Sequence, residues 1–155
     1  MDALPAQAEV VVIGGGIVGA AIAFHLAEAG LADVLVLERG ELGGESSGKP
    51  IGGVRGQFSD PLNIQLAAHS LAAYDDFVQR PGADIRRDKV GYVFLLRTAD
   101  HVARFETSSA IQNEHGIPTR LISPEEALAL CPVIDPDAFV AAAFSPSDGH
   151  AHPVV

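Results

Sequence analysis

Positive charge is scarce in this chain. Ten Lys and Arg stand against 20 Asp and Glu in 155 residues, a formal net charge of −10. No basic run and no interleaving of basic with aromatic residues is present. That balance argues against nucleic acid or an anionic membrane surface as a partner. Cysteine is almost absent. Cys131 stands alone, so it has no internal disulfide partner, and no metal-ligand spacing surrounds it. It reads as an ordinary buried thiol in a reducing compartment, consistent with a cytoplasmic location. Long apolar runs are missing too. Val10 to Phe24 is uncharged for 15 residues, but it is glycine-rich and shorter than the ~20 residues of a membrane helix. A buried strand and helix fit it better than a membrane span. Met1 to Glu9 holds no positive charge ahead of that stretch, unlike a secretory signal.

What is present is a globular composition, 48% apolar. The length suits one domain, or one domain and part of another. A compact chain of this size buries roughly 68–70% of its unfolded surface, enough for a core.

The most specific segment is residues 9–58. Val10 to Ile13 reads as a short strand, followed directly by Gly14-Gly15-Gly16-Ile17-Val18-Gly19. Ile17 to Ala29 has helical composition, with small residues at Gly19, Ala20, Ala21 and Ala23 that let it lie close on a sheet. Val34 to Leu37 is a second apolar strand, and Glu38 follows it. In this pattern Gly14 allows the tight turn, Gly16 admits a pyrophosphate to the backbone, and Gly19 allows close packing of helix on strand. The helix start offers free N–H groups and a positive dipole end to phosphates. Glu38, 19 residues past Gly19, is placed to accept bonds from ribose hydroxyls. Three glycines at this spacing arise by chance on the order of 0.15 times per chain of this composition. The strand before, the helix inside and the acid beyond provide the specificity. The competing reading is a glycine-rich turn that binds nothing. It has to account for three consecutive glycines and their backbone entropy.

Beyond the βαβ unit, residues 41–58 form a long irregular stretch with six glycines, two serines, Lys49 and Arg55. Loops of this length are usually functional or disordered, and the mix suits anion and cofactor contact. Asp60 and Pro61 read as the N-cap and first turn of a helix that stops at Pro81-Gly82. Val90 to Leu96 reads as a strand, and Ala99 to His115 as a helix ended by Gly116. Ser123 to Glu126 has capping-box spacing before a short helix to Leu130. Phe139 to Phe144 reads as a further strand. His25 is expected to be a buried or edge histidine with an ordinary partner, and His150 and His152 to be turn residues. The regular βαβ logic gives way to irregular alternation, which places a domain boundary near Pro81 to Asp88: residues 1–85 and 86–155.

The run Glu38-Arg39-Gly40, Leu42-Gly43-Gly44, Ser46-Ser47-Gly48 and Gly52-Gly53-Val54-Arg55 resembles the FAD-dependent amino-acid and amine oxidoreductases. That family includes D-amino acid oxidase, glycine oxidase and the sarcosine oxidase β-subunit, the last being the best likeness. Weaker likeness continues through Ser123 to Ala127 and Asp148-Gly149-His150. The resemblance implies an α/β fold: a Rossmann-like FAD-binding βαβ unit plus the beginning of an α+β substrate domain, truncated relative to the family. It implies that a C–H bond next to an amine gives a hydride equivalent to the flavin and yields an imine. Position by position, it assigns Gly14, Gly16, Ile17, Val18 and Gly19 to the pyrophosphate turn and Glu38 to the ribose. Arg39 falls to the adenine end, Ser46 and Ser47 to the phosphates, and Ile51, Gly52 and Gly53 to the segment under the flavin. Arg55 matches an arginine that holds a substrate carboxylate, a task suited to a planar two-pronged donor. A surface pairing of Arg55 with Asp60 is the competing reading. Some members attach FAD through a histidine in this loop. Gly48-Lys49-Pro50 has none, so non-covalent FAD is expected.

The partner is then a small-molecule amino acid or amine, and the fragment alone is expected to be inactive. Whether it forms a homo-oligomer or joins a partner subunit stays open. Two other classes remain: a nicotinamide-dependent dehydrogenase domain, and a non-enzymatic scaffold or assembly subunit. The catalytic residues are not assigned, and no metal is expected.

Overall fold

The structure, a computed structural model, describes residues 4–153. The chain falls into two compact units, one running to Ile51 and the other over Gly52–Pro153.

The first unit is the expected β-α-β sequence: β1 (Val10–Ile13), α1 (Ile17–Glu28) and β2 (Val34–Leu37). The strands run parallel, in register from Val10↔Val34 to Ile13↔Leu37. Parallel strands need a crossover between them, and α1 supplies it. Gly19 is buried on the helix face that meets the strand. A Cβ there would lie 1.9 Å from the Gly14 carbonyl oxygen, so the approach admits only glycine. Gly14 has φ +108°, a region L side chains rarely adopt, and its N–H donates to the Leu37 carbonyl at 2.8 Å.

Glu38 completes this unit. Its carboxylate folds back rather than outward: Oε2 accepts from the Gly15 N–H at 2.8 Å, and Oε1 from the Gly40 N–H at 2.9 Å. Those two donors, Gly15 first, stabilise the ionised form and hold the Glu38 carboxyl below its ordinary value. The loop beyond also leans on the turn. Gly43 N–H donates to the Gly15 carbonyl at 3.0 Å, and Ser46–Gly48 forms a 3-10 turn.

The second unit contains β3 (Gly53–Val54), α2 (Pro61–Asp75), β4 (Tyr92–Leu96), α3 (Ala99–Glu114), β5 (Arg120–Ile122), α4 (Pro124–Leu130), β6 (Ala141–Ser145) and β7 (Gly149–His150). An antiparallel sheet runs β4-β6-β5, and β3 pairs antiparallel with β7. One core cluster joins Ile64, Ala67 and Leu71 of α2 to Ile117. A second joins Ile122, Ala127, Phe139 and Ala142. Helix starts follow the sequence. Asp60 accepts from Asn63 N–H, and Ser123 from Glu126 N–H. The Ser123 box is one-sided, because the Glu126 carboxylate pairs with Arg120 at 2.6 Å.

Several boundaries differ from expectation. Helix α2 stops at Asp75, and the chain continues in turns, with the N–H groups of Gln79 and Arg80 both on the Asp76 carbonyl. Strand β4 starts at Tyr92 because Gly91 has φ +83°. His150 lies in a strand rather than a turn. Strands β3, β5 and β7 were not expected. The proposed boundary near Pro81 to Asp88 falls inside the second unit. Arg87 donates there to the carbonyls of Leu71 (2.9 Å) and Ser147 (2.8 Å), and Asp88 exchanges both backbone bonds with His150.

Two outcomes are expected. Gly19→Ala should destabilise the protein by about 1–3 kcal/mol, because backbone must move to admit the methyl. Urea denaturation measures this, and an unchanged midpoint would contradict the packing argument. Glu38 has a lowered carboxyl pKa, so its stabilising share is present above the unfolded value and is lost as pH falls through the folded one. Glu38→Gln should therefore lose less stability than the parent between about pH 6 and about pH 3. Parallel pH curves for the two proteins would refute the assignment.

Candidate functional site

In the first unit the candidate residues converge on the start of α1. The cap position, Gly16, has no side chain to bond the helix end. Ser47 supplies that group from the loop, its Oγ accepting from the Ile17 N–H at 2.9 Å. A Cβ on Gly16 would sit 3.1 Å from that same oxygen, so the bare backbone lets the hydroxyl reach the turn. Among the described residues, no acceptor meets the N–H groups of Gly16 and Val18. Unpaired N–H groups at a helix start, with the dipole behind them, make an anion site.

Glu38 lies at the other side of the turn. Each oxygen of an ionised carboxylate has more than one acceptor position, so the bonds to Gly15 and Gly40 leave capacity for hydroxyl donors. Free main-chain donors, a cradle that a Cβ would crowd, and an anionic acceptor at the strand end together fit a dinucleotide. Arg39 and Ser46 are exposed, and neither bonds to the glycine turn. Ile51 is 97% exposed. His25 is exposed on α1 with Nδ1 3.2 Å from Glu28, an edge histidine with an ordinary partner. Cys131 is half-buried.

In the second unit Gly52 has φ +81°, and a Cβ there would lie 2.0 Å from the Ala151 carbonyl oxygen. Gly53 pairs with His150 across β3 and β7. Arg55 follows at the end of β3. Its guanidinium lies 4.8 Å from the Phe58 ring centre and 5.2 Å from that of Phe94, and Nη1 donates to the Gln57 carbonyl at 2.8 Å. Aromatic faces hold a guanidinium without consuming its donors. Arg55 is not paired with Asp60, whose carboxylate caps α2 instead. It lines a cavity of about 300 Å³ with Gly53, Val54, Phe58, Asn63 and Tyr74.

Sequence reasoning missed Asp148. The residue is fully buried, and its Oδ1 accepts from the Gly56 N–H at 3.0 Å. Burial pushes its carboxyl up. The Gly56 N–H, the Ser145 hydroxyl and the nearby Arg87 and Arg55 oppose that rise. The only sequence signal was the weak Asp148-Gly149-His150 likeness. Among the described residues, no group of three or more His, Cys, Asp or Glu is placed to hold a metal, and no helix is long and apolar enough to cross a membrane.

Comparison with known proteins places this geometry in a family. Residues 9–155 match the DAO family, FAD dependent oxidoreductase. The chain is 32% identical over 152 residues to 4-methylaminobutanoate oxidase (formaldehyde-forming) of Paenarthrobacter nicotinovorans, covering 98% of this chain and 18% of that protein. It is 32% identical over 148 residues to the mitochondrial dimethylglycine dehydrogenase of Rattus norvegicus, covering 95% and 17%. Among solved structures, L-proline dehydrogenase from P. horikoshii superposes with a TM-score of 0.87 at 39% identity, covering 97% of this chain and 39% of that one. The chain thus spans less than a fifth of the length of these curated relatives and about two fifths of that solved chain. These three are an oxidase and two dehydrogenases, and the mitochondrial pyruvate dehydrogenase phosphatase regulatory subunit of Mus musculus is 32% identical over 146 residues, covering 94% of this chain and 17% of that protein. On its glycine turn, its strand-end carboxylate and the match over residues 9–155, the chain belongs to the DAO family of FAD dependent oxidoreductases.

Proposed function

We propose that this chain carries the FAD-binding part of an enzyme that oxidises an amino acid or an N-methylated amine. The observation that carries the reading is the glycine turn at the head of α1, with Ser47 on one side of it and the Glu38 carboxylate on the other. The N–H groups of Gly16 and Val18 bind the diphosphate, with Gly14 and Gly19 shaping the turn. Ser47, whose Oγ accepts from the Ile17 N–H, would still have its own O–H to donate to a phosphate oxygen. Glu38 keeps its main-chain donors and takes ribose hydroxyls on its remaining lone pairs. Arg39 and Ser46 are close in sequence to these groups and serve the adenine end and the phosphates. Ile51, Gly52 and Gly53 would form the segment that meets the flavin, with two glycines keeping the backbone bare. Gly48-Lys49-Pro50 offers no histidine, so this loop would hold FAD without a covalent link.

Bound FAD supplies the two-electron acceptor for a C–H bond next to an amine nitrogen. Arg55 orients the substrate. Stacked on Phe58 and Phe94 and tied to the Gln57 carbonyl, it keeps donors for a carboxylate at the rim of the 300 Å³ cavity. A carboxylate held there fixes the substrate by one end and leaves its amine carbon free to be positioned. Small carboxylated amines are therefore the substrate class.

Two measurements in the full-length flavoprotein test this. Glu38→Ala should weaken FAD binding about tenfold or more, the size of a hydrogen bond to a charged group. Titration of apoprotein with FAD measures it, and unchanged affinity would remove the ribose role. Arg55→Ala should raise KM for a carboxylate-bearing amine about 10- to 100-fold while leaving flavin content intact. Equal losses with a substrate lacking the carboxylate would show that Arg55 does something else.

A further inference from the structure

Of the contacts that hold Arg55, the one to its own loop depends on where that loop sits. Its guanidinium bonds the Gln57 carbonyl two residues on, so the side chain closes a small ring of chain over Gly56. The orientation of that ring is set wherever Gly56 is fixed. Gly56 is fixed by Asp148, whose Oδ1 accepts its N–H at 3.0 Å across 92 residues of sequence. Gly56 also has no room to turn: a Cβ there would lie 2.8 Å from the ends of Leu71 and Ile117, both core side chains.

Asp148 is itself braced. Its carbonyl accepts from the Gly91 N–H at 2.9 Å, and the neighbouring Ser147 carbonyl accepts from Arg87 Nη2 at 2.8 Å. Arg87, only 6% exposed at its side chain, in turn grips the Leu71 carbonyl and Asp75. The backbone that carries the carboxylate is thus tied to Gly91, just before β4, and through Arg87 to α2. Its second oxygen, Oδ2, is buried and makes no well-formed hydrogen bond among the described residues, although the Ser145 hydroxyl nearby favours the ionised carboxyl. A buried, half-satisfied carboxylate is a costly way to hold a loop. That cost raises the question of what the bond to Gly56 does beyond packing.

We propose that Asp148 is a positioning residue for substrate recognition: by holding the Gly56 N–H it aims the Arg55 guanidinium into the cavity beside β3. The inference rests on the reading of Arg55 as the carboxylate ligand. Asp148 touches neither substrate nor cofactor. It selects for carboxylated substrates through the loop it anchors.

The test uses the full-length flavoprotein with a carboxylate-bearing amine, the same amine without its carboxylate, and acetate as an unreactive carboxylate whose binding is read from the flavin absorption spectrum. Asp148→Ala should raise KM for the carboxylated amine and the dissociation constant of acetate by about 5- to 20-fold. Flavin content and kcat for the carboxylate-free amine should stay within about twofold. Asp148→Asn, which keeps an acceptor for Gly56, should restore both constants to within about threefold of the parent. If Asp148→Ala does not fold, Asp148→Ser, too short to reach Gly56, carries the same expectation. Equal losses on both amines, an unchanged ratio of KM values, or an Asn variant no better than Ala would overturn the proposal. Arg55→Ala separates the two readings. If it shifts the ratio and Asp148→Ala does not, only the positioning role fails. If it leaves the ratio unchanged, the carboxylate role of Arg55 fails first.

Discussion

The close approach of α1 to the turn that precedes it governs the first unit. With Gly19 against the Gly14 carbonyl, no other residue type fits without moving backbone. That contact fixes where the helix starts, and therefore where its first N–H groups point. The parallel pairing of β1 and β2 brings Glu38 to the same place, since Ile13 and Leu37 are partners in register. A local steric constraint and a strand register together put a helix end with unpaired N–H groups beside a carboxylate.

The second unit solves a different problem by longer-range means. Its antiparallel strands and two apolar clusters hold Arg55 at the end of a strand only two residues long. So short a strand cannot orient a side chain by pairing alone. The arginine depends on two aromatic faces, a carbonyl of its own loop and the buried Asp148. Charges at the surface are spent elsewhere: Lys49 pairs with Glu45, Arg104 with Asp100 and Arg120 with Glu126, contacts worth little in water.

How much of this was legible depended on distance along the chain. The β-α-β unit could be read because each signal is local: four-residue apolar strands, a helix with Gly19 where it meets the strand, glycines between. Asp60, Ser123 and Gly116 announced helix ends for the same reason. The turn and its carboxylate were placed correctly in sequence, yet the return of Glu38 to the Gly15 and Gly40 N–H groups left no trace in composition. Strands β3, β5 and β7 escaped notice because two or three residues carry no periodicity. They are strands only by virtue of distant partners. The Asp148 bond to Gly56 was invisible on the same ground, and the Asp60 alternative for Arg55 lost to helix capping, a local demand that claimed the carboxylate first.

The 92-residue span between Gly56 and its acceptor has a bearing on how the protein matures. Everything that shapes the glycine turn, from Gly14 to Ser47, is present once the first third of the chain has emerged from the ribosome. The acceptor for Gly56, beside Arg55, is not present until Asp148 has been made. The turn is thus built from neighbours, whereas the contact that steadies Gly56 joins residues 92 positions apart.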